Sequence, residues 1–369
     1  MPTTQAVVCR QEGGPFEMEE LSLDDPRRDE VLVRIVGAGM CHTDLISRDQ
    51  WYPVPLPAVF GHEGAGIVEA VGADVTKVAP GDKVVLTYNS CGGCRPCLTG
   101  HPAYCAQLFA LNFGAARPDG STALRDASGE PVHSHFFGQS SWGSLAVAAQ
   151  RSVVKVETDQ PLELLGPLGC GLQTGAGGVF NSLAPPAGSS IAVFGAGAVG
   201  LSAIMAASAA GCTRIIAVDI KPSRLELATQ LGATDTVDGS SVADTVAAIQ
   251  ELSGGGVDYS IETTASPHVL RNAVDCLGIL GTCGIIGAAA LGTEVSLDMN
   301  GIMIPGKKVR GIIEGDSVPD IFIPRLVQLF EQGRFPIDRL MKTYELSDAN
   351  KAAAESEEGS TVKPVLLPG

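Results

Sequence analysis

Four cysteines, Cys91, Cys94, Cys97 and Cys105, fall within the run CGGCRPCLTGHPAYC, separated by two, two and seven residues. Thiolates this close repel one another unless a cation neutralises them, and four at short spacing suit the closed tetrahedral shell of structural zinc. An iron–sulfur cluster also takes four cysteines, and spacing alone leaves it open. His101 lies in the same run and is expected at the surface, because four sulfurs already complete a shell.

Three further residues suit a second and different centre. Cys41 opens CHTD, His62 lies in GHEGAG and Cys170 lies in PLGCGLQTG, each near glycines that let backbone approach closely. Two thiolates and one imidazole from distant loops form the donor set of a catalytic zinc with an open fourth position. Cys9, Cys212, Cys276 and Cys283 have no ligand-type neighbours and are expected to be small buried hydrophobes.

A nucleotide site is written in SSIAVFGAGAVGLSAIMAASAAGCTRIIAVD. A strand at 191–194 runs into Gly195-x-Gly197-x-x-Gly200, then into a helix of small apolar residues and a second strand ending at Asp219. Gly195 permits the tight turn, Gly197 lets a pyrophosphate reach the helix N-terminus, and Gly200 permits close helix–strand packing. Asp219 accepts from ribose hydroxyls and repels a 2′-phosphate, so NAD is favoured over NADP; helix capping is its other possible role. Lys221 and Arg224 stand where they could close over the adenine end, or serve only as helix-surface charges. Thr174, Gly287 and Ala288 fall at loop positions suited to the nicotinamide.

These groups need two domains to position them, which is what a chain of 369 residues usually forms. Strand-like runs VDYSIETT, GILGTCGIIGAA and VRGII alternate with helical stretches at 242–252 and 267–277. That alternation predicts an α/β fold with a doubly wound parallel sheet and the cofactor across its carboxyl edge. The uncharged stretch 181–213 is interrupted by Pro185, Pro186 and a glycine-dense centre, so it reads as loop, strand, turn and helix rather than a membrane span. A net charge of −16 opposes phosphate backbones and anionic lipid, so no nucleic-acid or membrane partner is expected. MPTTQAVVCRQEGGPF has neither a basic start followed by an apolar run nor a cleavage site, which makes the cytoplasm the expected location.

From GAGMCHTDL and GHEGAG to GAGAVG, the chain resembles the zinc-dependent medium-chain alcohol dehydrogenases. VHSHFFGQSSW, PLGCGLQTGAG and GIIEGDSVP are similar to the aryl-alcohol (benzyl alcohol) branch, which includes enzymes of allylic terpene alcohols. The resemblance implies a GroES-like β-rich catalytic domain over 1–172 and 313–369 and a Rossmann domain over 173–312, with the active site in the cleft. It implies that Cys41, His62 and Cys170 ligate a catalytic zinc, while Asp44 hydrogen-bonds His62 and Glu63 sits close behind the metal. Thr43 matches a hydroxyl that contacts the substrate oxygen, and His42 a position that meets pyrophosphate. Val199 and Thr174 would pack on the nicotinamide, and Lys363 in VKPVL resembles a basic residue that reaches the pyrophosphate. Many relatives carry a histidine proton relay where this chain has Ile46, so the proton must leave by another route.

The implied reaction is reversible oxidation of a primary alcohol, aromatic or allylic, with two zinc ions per chain and hydride passing to NAD. Trp51, Tyr52, Phe109 and Phe113 are the candidate walls of a flat apolar pocket. One alternative is a formaldehyde dismutase or a dehydrogenase of the glutathione adduct of formaldehyde. Another is a zinc-stabilised NAD-binding protein without catalysis, against which intact Cys41, Thr43, His62 and Cys170 speak. The apolar GIMIPGKKVRGII could join copies of the Rossmann domain into a homodimer or homotetramer.

Overall fold

In EVLVRIVGAG, Val31, Val33 and Ile35 alternate with Leu32, Arg34 and Val36, the period-two pattern of a strand with one face in a core. The structure, a computed structural model describing residues 2–369, forms the strand Glu30–Gly39 there and buries those three side chains. The chain divides into one unit of Met1–Cys170, Val318–Glu331 and Ile337–Gly369, and another of Gly171–Ser317 and Gln332–Pro336. The first break lies two residues before the expected one, because the helix Gly171–Gly177 packs with the helix Ala198–Ala210.

The first unit is β-rich. Its seven-stranded sheet runs Val153–Lys155, Lys83–Leu86, Glu63–Val71, Glu30–Gly39, Lys363–Leu367, Met341–Glu345, with Leu145–Ala149 also paired to Glu30–Gly39. A five-stranded sheet runs Ala58–Val59, Thr3–Cys9, Phe16–Leu23, Leu124–Arg125, Pro131–Val132. Phe16, Phe60, Phe136 and Trp142 fill the core by edge-to-face contacts, with centroids 5.0 Å apart for Phe16–Trp142 and 5.1 Å for Phe60–Phe136.

The second unit carries six parallel strands in the order Asp235–Asp238, Arg214–Asp219, Ser190–Phe194, Val257–Glu262, Leu277–Ile285, Lys308–Gly311. Strand order reverses beside Ser190–Phe194, and ligands bind outside the carboxyl ends of strands at such a switch point. The uncharged stretch resolves into Ser190–Phe194, a glycine turn and the helix Ala198–Ala210, buried over most of its length. No helix among the described residues is long and apolar enough to cross a membrane. The expected helix at 242–252 forms instead as Thr245–Ser253, because Asp244 accepts the Ala247 N–H at 3.0 Å and caps it.

One buried ion cluster ties the long excursion through 115–135 to the seven-stranded sheet. Arg117, with its side chain 1% exposed, donates Nε and Nη2 to Glu30 at 2.7 and 3.0 Å and Nη1 to Asp24 at 2.9 Å. His135 Nε2 lies 3.1 Å from Glu30. Burial alone pushes the Glu30 carboxyl up, but hydrogen bonds from His135, Arg117 and the Arg27 backbone outweigh it and hold it at about 2. The folded value lies below the ordinary 4.5, so the stabilisation is fully present above that value and is lost as pH falls toward 2. Its size is about 3 kcal/mol. Glu30→Gln is therefore expected to lower the urea unfolding midpoint at neutral pH, with the gap to wild type closing between pH 4.5 and 2; a constant gap would contradict it.

Candidate active site and metal centres

Cys41 caps the helix His42–Arg48, and Asp44 folds back so that its Oδ2 accepts the Cys41 N–H at 2.9 Å. The other oxygen of that carboxylate accepts the Gly61 N–H at 3.1 Å and meets His62 Nδ1 at 2.9 Å. His62 is fully buried, and its Nε2 has no hydrogen-bond partner. A buried orphan nitrogen calls for a partner, and the neighbouring donors identify its kind. Donor atoms of Cys41, His62, Glu63 and Cys170 all lie within 4.8 Å of one another. Two sulfurs and an imidazole nitrogen in a dry pocket fit zinc.

Cys170 reaches this cluster from a tight turn whose backbone lies against the strand Lys83–Leu86. A Cβ on Gly169 would stand 1.9 Å from the Leu86 carbonyl oxygen, so only glycine permits the approach. A hydrogen bond from Cys170 draws the Cys41 thiol well below its ordinary value; burial opposes this, and Lys363 and His62 assist it. Burial disfavours a charged His62, yet Asp44 carries it well above its ordinary value. Thr43 Oγ1 lies 3.9 Å from Cys41 Sγ, His42 on the same turn is exposed, and Ile46 is buried.

Lys363 departs from expectation. Its Nζ donates to both Glu63 oxygens at 3.0 and 2.9 Å and to the Met40 carbonyl at 3.1 Å. The residue is 2% exposed and its three N–H groups are spent, so it is not placed to reach a pyrophosphate. The cause is register: the Met40 N–H bonds the Pro364 carbonyl, which sets Lys363 facing inward beside Met40. Burial raises the Glu63 carboxyl and disfavours the lysine charge, but Glu63 and Cys41 hold the ammonium above its ordinary value. The double contact is that of an ion pair, with Glu63 restrained behind the two thiols.

The second cysteine cluster is local and only partly buried. Cys91, Cys94, Cys97 and Cys105 bring their sulfurs within 4.8 Å, with Cys94 and Cys97 3.4 Å apart. Backbone N–H groups already aim at sulfur: Cys91 to Cys105 at 3.2 Å, Cys94 to Cys91 at 3.3 Å and Ala106 to Cys94 at 3.4 Å. Those from Ala106 and Cys97 lead in drawing Cys94 down to about 6, whereas burial pushes Cys97 up to about 12. His101 is exposed and Cys9, Cys212, Cys276 and Cys283 are buried.

Of the expected pocket aromatics, Tyr52, Phe109 and Phe113 form one ladder. Centroids lie 6.0 Å apart for Tyr52–Phe109, 5.4 Å for Tyr52–Phe113 and 5.1 Å for Phe109–Phe113. The ladder continues through Phe113–Phe137 at 5.2 Å to the His62 imidazole, whose ring lies 4.5 Å from that of Phe137. Trp51 stands apart, half exposed against His42 at 6.5 Å. Sequence reasoning missed Phe137, although it lies within the quoted HSHFFGQSSW.

In the nucleotide unit, Gly195 adopts φ +91°, and a Cβ on Gly200 would stand 1.7 Å from the Gly195 carbonyl oxygen. Gly197 is exposed and nothing lies within 4 Å of where its Cβ would be, which leaves room for a ligand. Asp219 accepts the Ala196 N–H at 2.6 Å and those of Ile220 and Lys221 at 2.8 and 2.9 Å, so it also braces the glycine turn. A cavity of about 350 Å³ is lined by Gly195, Asp219, Thr245, Thr264, His268 and Asn272 among others. Sequence reasoning missed the last four; the available signal was the parallel topology, which sets Thr264 just past the strand Val257–Glu262, His268 and Asn272 on the helix Pro267–Asp275 that follows it, and Thr245 at the start of the helix after Asp235–Asp238. Arg224 is buried rather than a surface charge, and burial lowers its guanidinium while Asp219 raises it. Thr174 is buried with its hydroxyl 3.5 Å from Glu314, whereas Val199, Gly287 and Ala288 are half-buried.

Comparison with known proteins places the chain in a family. Residues 27–157 match the alcohol dehydrogenase GroES-like domain, and 198–332 match the zinc-binding dehydrogenase family. The geraniol dehydrogenase of Castellaniella defragrans is 48% identical over 366 residues, 99% of this chain and 98% of its own. The benzyl alcohol dehydrogenase of Acinetobacter calcoaceticus superposes with a TM-score of 0.97 at 49% identity, covering 100% of both chains. An alcohol dehydrogenase zinc-binding domain protein of Burkholderia ambifaria gives 0.98 at 60% identity, again over 100% of both. The chain belongs to the zinc-dependent medium-chain alcohol dehydrogenases, with a GroES-like domain and a Rossmann domain. Gly200→Val is expected to abolish dinucleotide binding in a fluorescence titration while zinc content stays at the wild-type level; retained binding would contradict the close packing at that turn.

Proposed function

We propose that the chain oxidises a primary allylic or aromatic alcohol to the aldehyde, reversibly, with hydride passing to NAD. The observation that carries the substrate class is the aromatic ladder from Phe109 through Tyr52, Phe113 and Phe137 to the His62 ring. Flat π-faces beside the donor cluster suit a conjugated, planar substrate better than a short aliphatic one. The names of the geraniol and benzyl alcohol dehydrogenases support the same class.

Cys41, His62 and Cys170 would hold a zinc ion, which would supply Lewis acidity to a substrate hydroxyl, and the four cysteines of the lobe would hold a second that performs no chemistry. Asp44 fixes the His62 ring through Nδ1. Thr43, beside Cys41, offers a hydroxyl that accepts the substrate proton while releasing its own toward solvent, and the exposed His42 imidazole on the same turn is a base that could receive it in place of the imidazole that position 46 lacks. Lys363 holds both oxygens of the buried Glu63 carboxylate, and its charge favours the Cys41 thiolate.

Asp219 supports NAD through its charge at the end of the strand Arg214–Asp219. The same domain is proposed to pair copies of the chain, since Leu280, Met299, Met303 and Ile304 are all at least 70% exposed near the edge strand Lys308–Gly311.

Ranked by kcat/KM, benzyl, cinnamyl and geranyl alcohols are expected to exceed ethanol and butanol at least about 100-fold, and Cys41→Ser to remove activity on all of them. A preference for the short alcohols would overturn the substrate class, and an active Cys41→Ser the metal site. Asp219→Ser is expected to raise NADP use relative to NAD at least about tenfold, because the repulsion of a 2′-phosphate is gone. An unchanged ratio would show that discrimination lies elsewhere.

A further inference from the structure

The Gln139 side chain is 1% exposed and bonds three backbone segments at once. Its Oε1 accepts the Gly64 N–H at 3.1 Å, and its Nε2 donates to the His62 carbonyl at 2.9 Å and to the Thr87 carbonyl at 3.2 Å. Both amide protons are thereby used on carbonyls that lie in different strands or their approaches. Thr87, fully buried, continues the chain of contacts, since its Oγ1 donates to the Gly169 carbonyl at 2.6 Å, immediately before Cys170.

The loop that delivers Gln139 is held in an unfavourable shape. His135, Phe137 and Ser140 have φ of +67°, +52° and +52°, a left-handed conformation that costs non-glycine residues on the order of 1 kcal/mol each. Such backbone persists where surroundings over-determine it, and here they do. Ser140 Oγ donates to the Val59 carbonyl at 2.6 Å and accepts the Phe136 N–H at 3.0 Å, and the Ser141 N–H bonds the Gly61 carbonyl at 2.9 Å. One turn therefore sets Phe137 against the His62 ring and Gln139 under the His62 backbone.

We infer that Gln139, acting with Thr87, is a positioning residue for the proposed catalytic zinc, coupling the backbone of His62 to the backbone that carries Cys170. Asp44 already couples Cys41 to His62. The carboxamide and the threonine hydroxyl add the remaining link, so the three donors form one mechanically connected set. The amide does not touch substrate or cofactor. Its effect is to keep the His62-to-Cys170 separation matched to the ion.

The inference rests on the zinc centre proposed above, and the test separates the two. Wild type, Gln139→Leu, Thr87→Val and Thr87→Ser are compared for release of each zinc to a chromogenic chelator and for the absorption of cobalt-exchanged protein, with thermal unfolding followed in parallel. Gln139→Leu and Thr87→Val are expected to release one of two ions about tenfold or more faster, shift the cobalt thiolate bands and leave the other ion's release unchanged. Thr87→Ser, which retains the hydroxyl, is expected to return to wild-type release. Release of both ions at wild-type rates, or equal acceleration of both with a falling unfolding temperature, would overturn the positioning role. Should Gln139→Leu not fold, Thr87→Val set against Thr87→Ser still separates these outcomes. A wild-type chain holding only one zinc overturns the catalytic centre and this inference together; two zincs with unmoved release overturn this inference alone.

Discussion

A single carboxylate with no exposure to water holds the chemistry of this protein in place. Asp44 accepts the Cys41 N–H and the Gly61 N–H and meets His62 Nδ1, at 2.9, 3.1 and 2.9 Å. A buried carboxylate without partners would cost several kcal/mol, so its lone pairs specify where the surrounding donors must be. The geometry of the helix start at Cys41, the loop before Glu63–Val71 and the imidazole tautomer follow from that one requirement. Hydrogen bonding at Nδ1 leaves Nε2 as the only nitrogen of the ring available to a metal.

A second charge pair acts one layer behind. Glu63 lies within reach of the metal donors, where a free carboxylate would compete for the open position. Lys363 engages both of its oxygens. The lysine comes from the last strand of the chain, so the C-terminal return to the catalytic sheet contributes to the metal site as well as to the β-structure. This distance in sequence is also why the role of Lys363 does not show in the residues around it. Nothing in VKPVL states what lies opposite, and a basic residue near a nucleotide enzyme's C-terminus invites an anionic cofactor as partner. The antiparallel register with Glu30–Gly39 supplies a nearer one.

What was legible in the sequence shares a property: its physics is local. The spacing of Cys91, Cys94, Cys97 and Cys105 and the Gly195, Gly197, Gly200 and Asp219 fingerprint lie within single supersecondary units, where spacing alone dictates geometry. The parallel sheet was equally legible, because its central strands Ser190–Phe194 and Arg214–Asp219 are largely buried apolar runs and its strands alternate with helices. Gln139, Phe137 and the partner of Lys363 were not. Each acts through backbone or rings dozens of residues away, and a glutamine or phenylalanine carries no pattern that announces such a contact. The cavity residues His268 and Asn272 occupy a middle ground, since the topology rather than the motif places them.

The two cysteine-based centres therefore differ in how they relate to folding. The lobe ligands span fifteen residues of sequence, their sulfurs receive N–H groups from neighbouring residues, and the loop has little core of its own. For such a segment, metal binding supplies much of the ordering free energy. The proposed catalytic ligands span residues 41 to 170, and closing loops of that length has to be compensated by something other than an ion. The seven-stranded sheet provides it, since Glu30–Gly39, Glu63–Val71, Lys83–Leu86 and Lys363–Leu367 all contribute residues on or beside the site. A preformed pocket can leave its metal with one vacant position, because the protein rather than the ion sustains the arrangement. A lobe that depends on its metal cannot, and its shell is closed by four sulfurs. The proposed difference between a structural and a catalytic zinc site thus follows from where the energy that orders the ligands comes from.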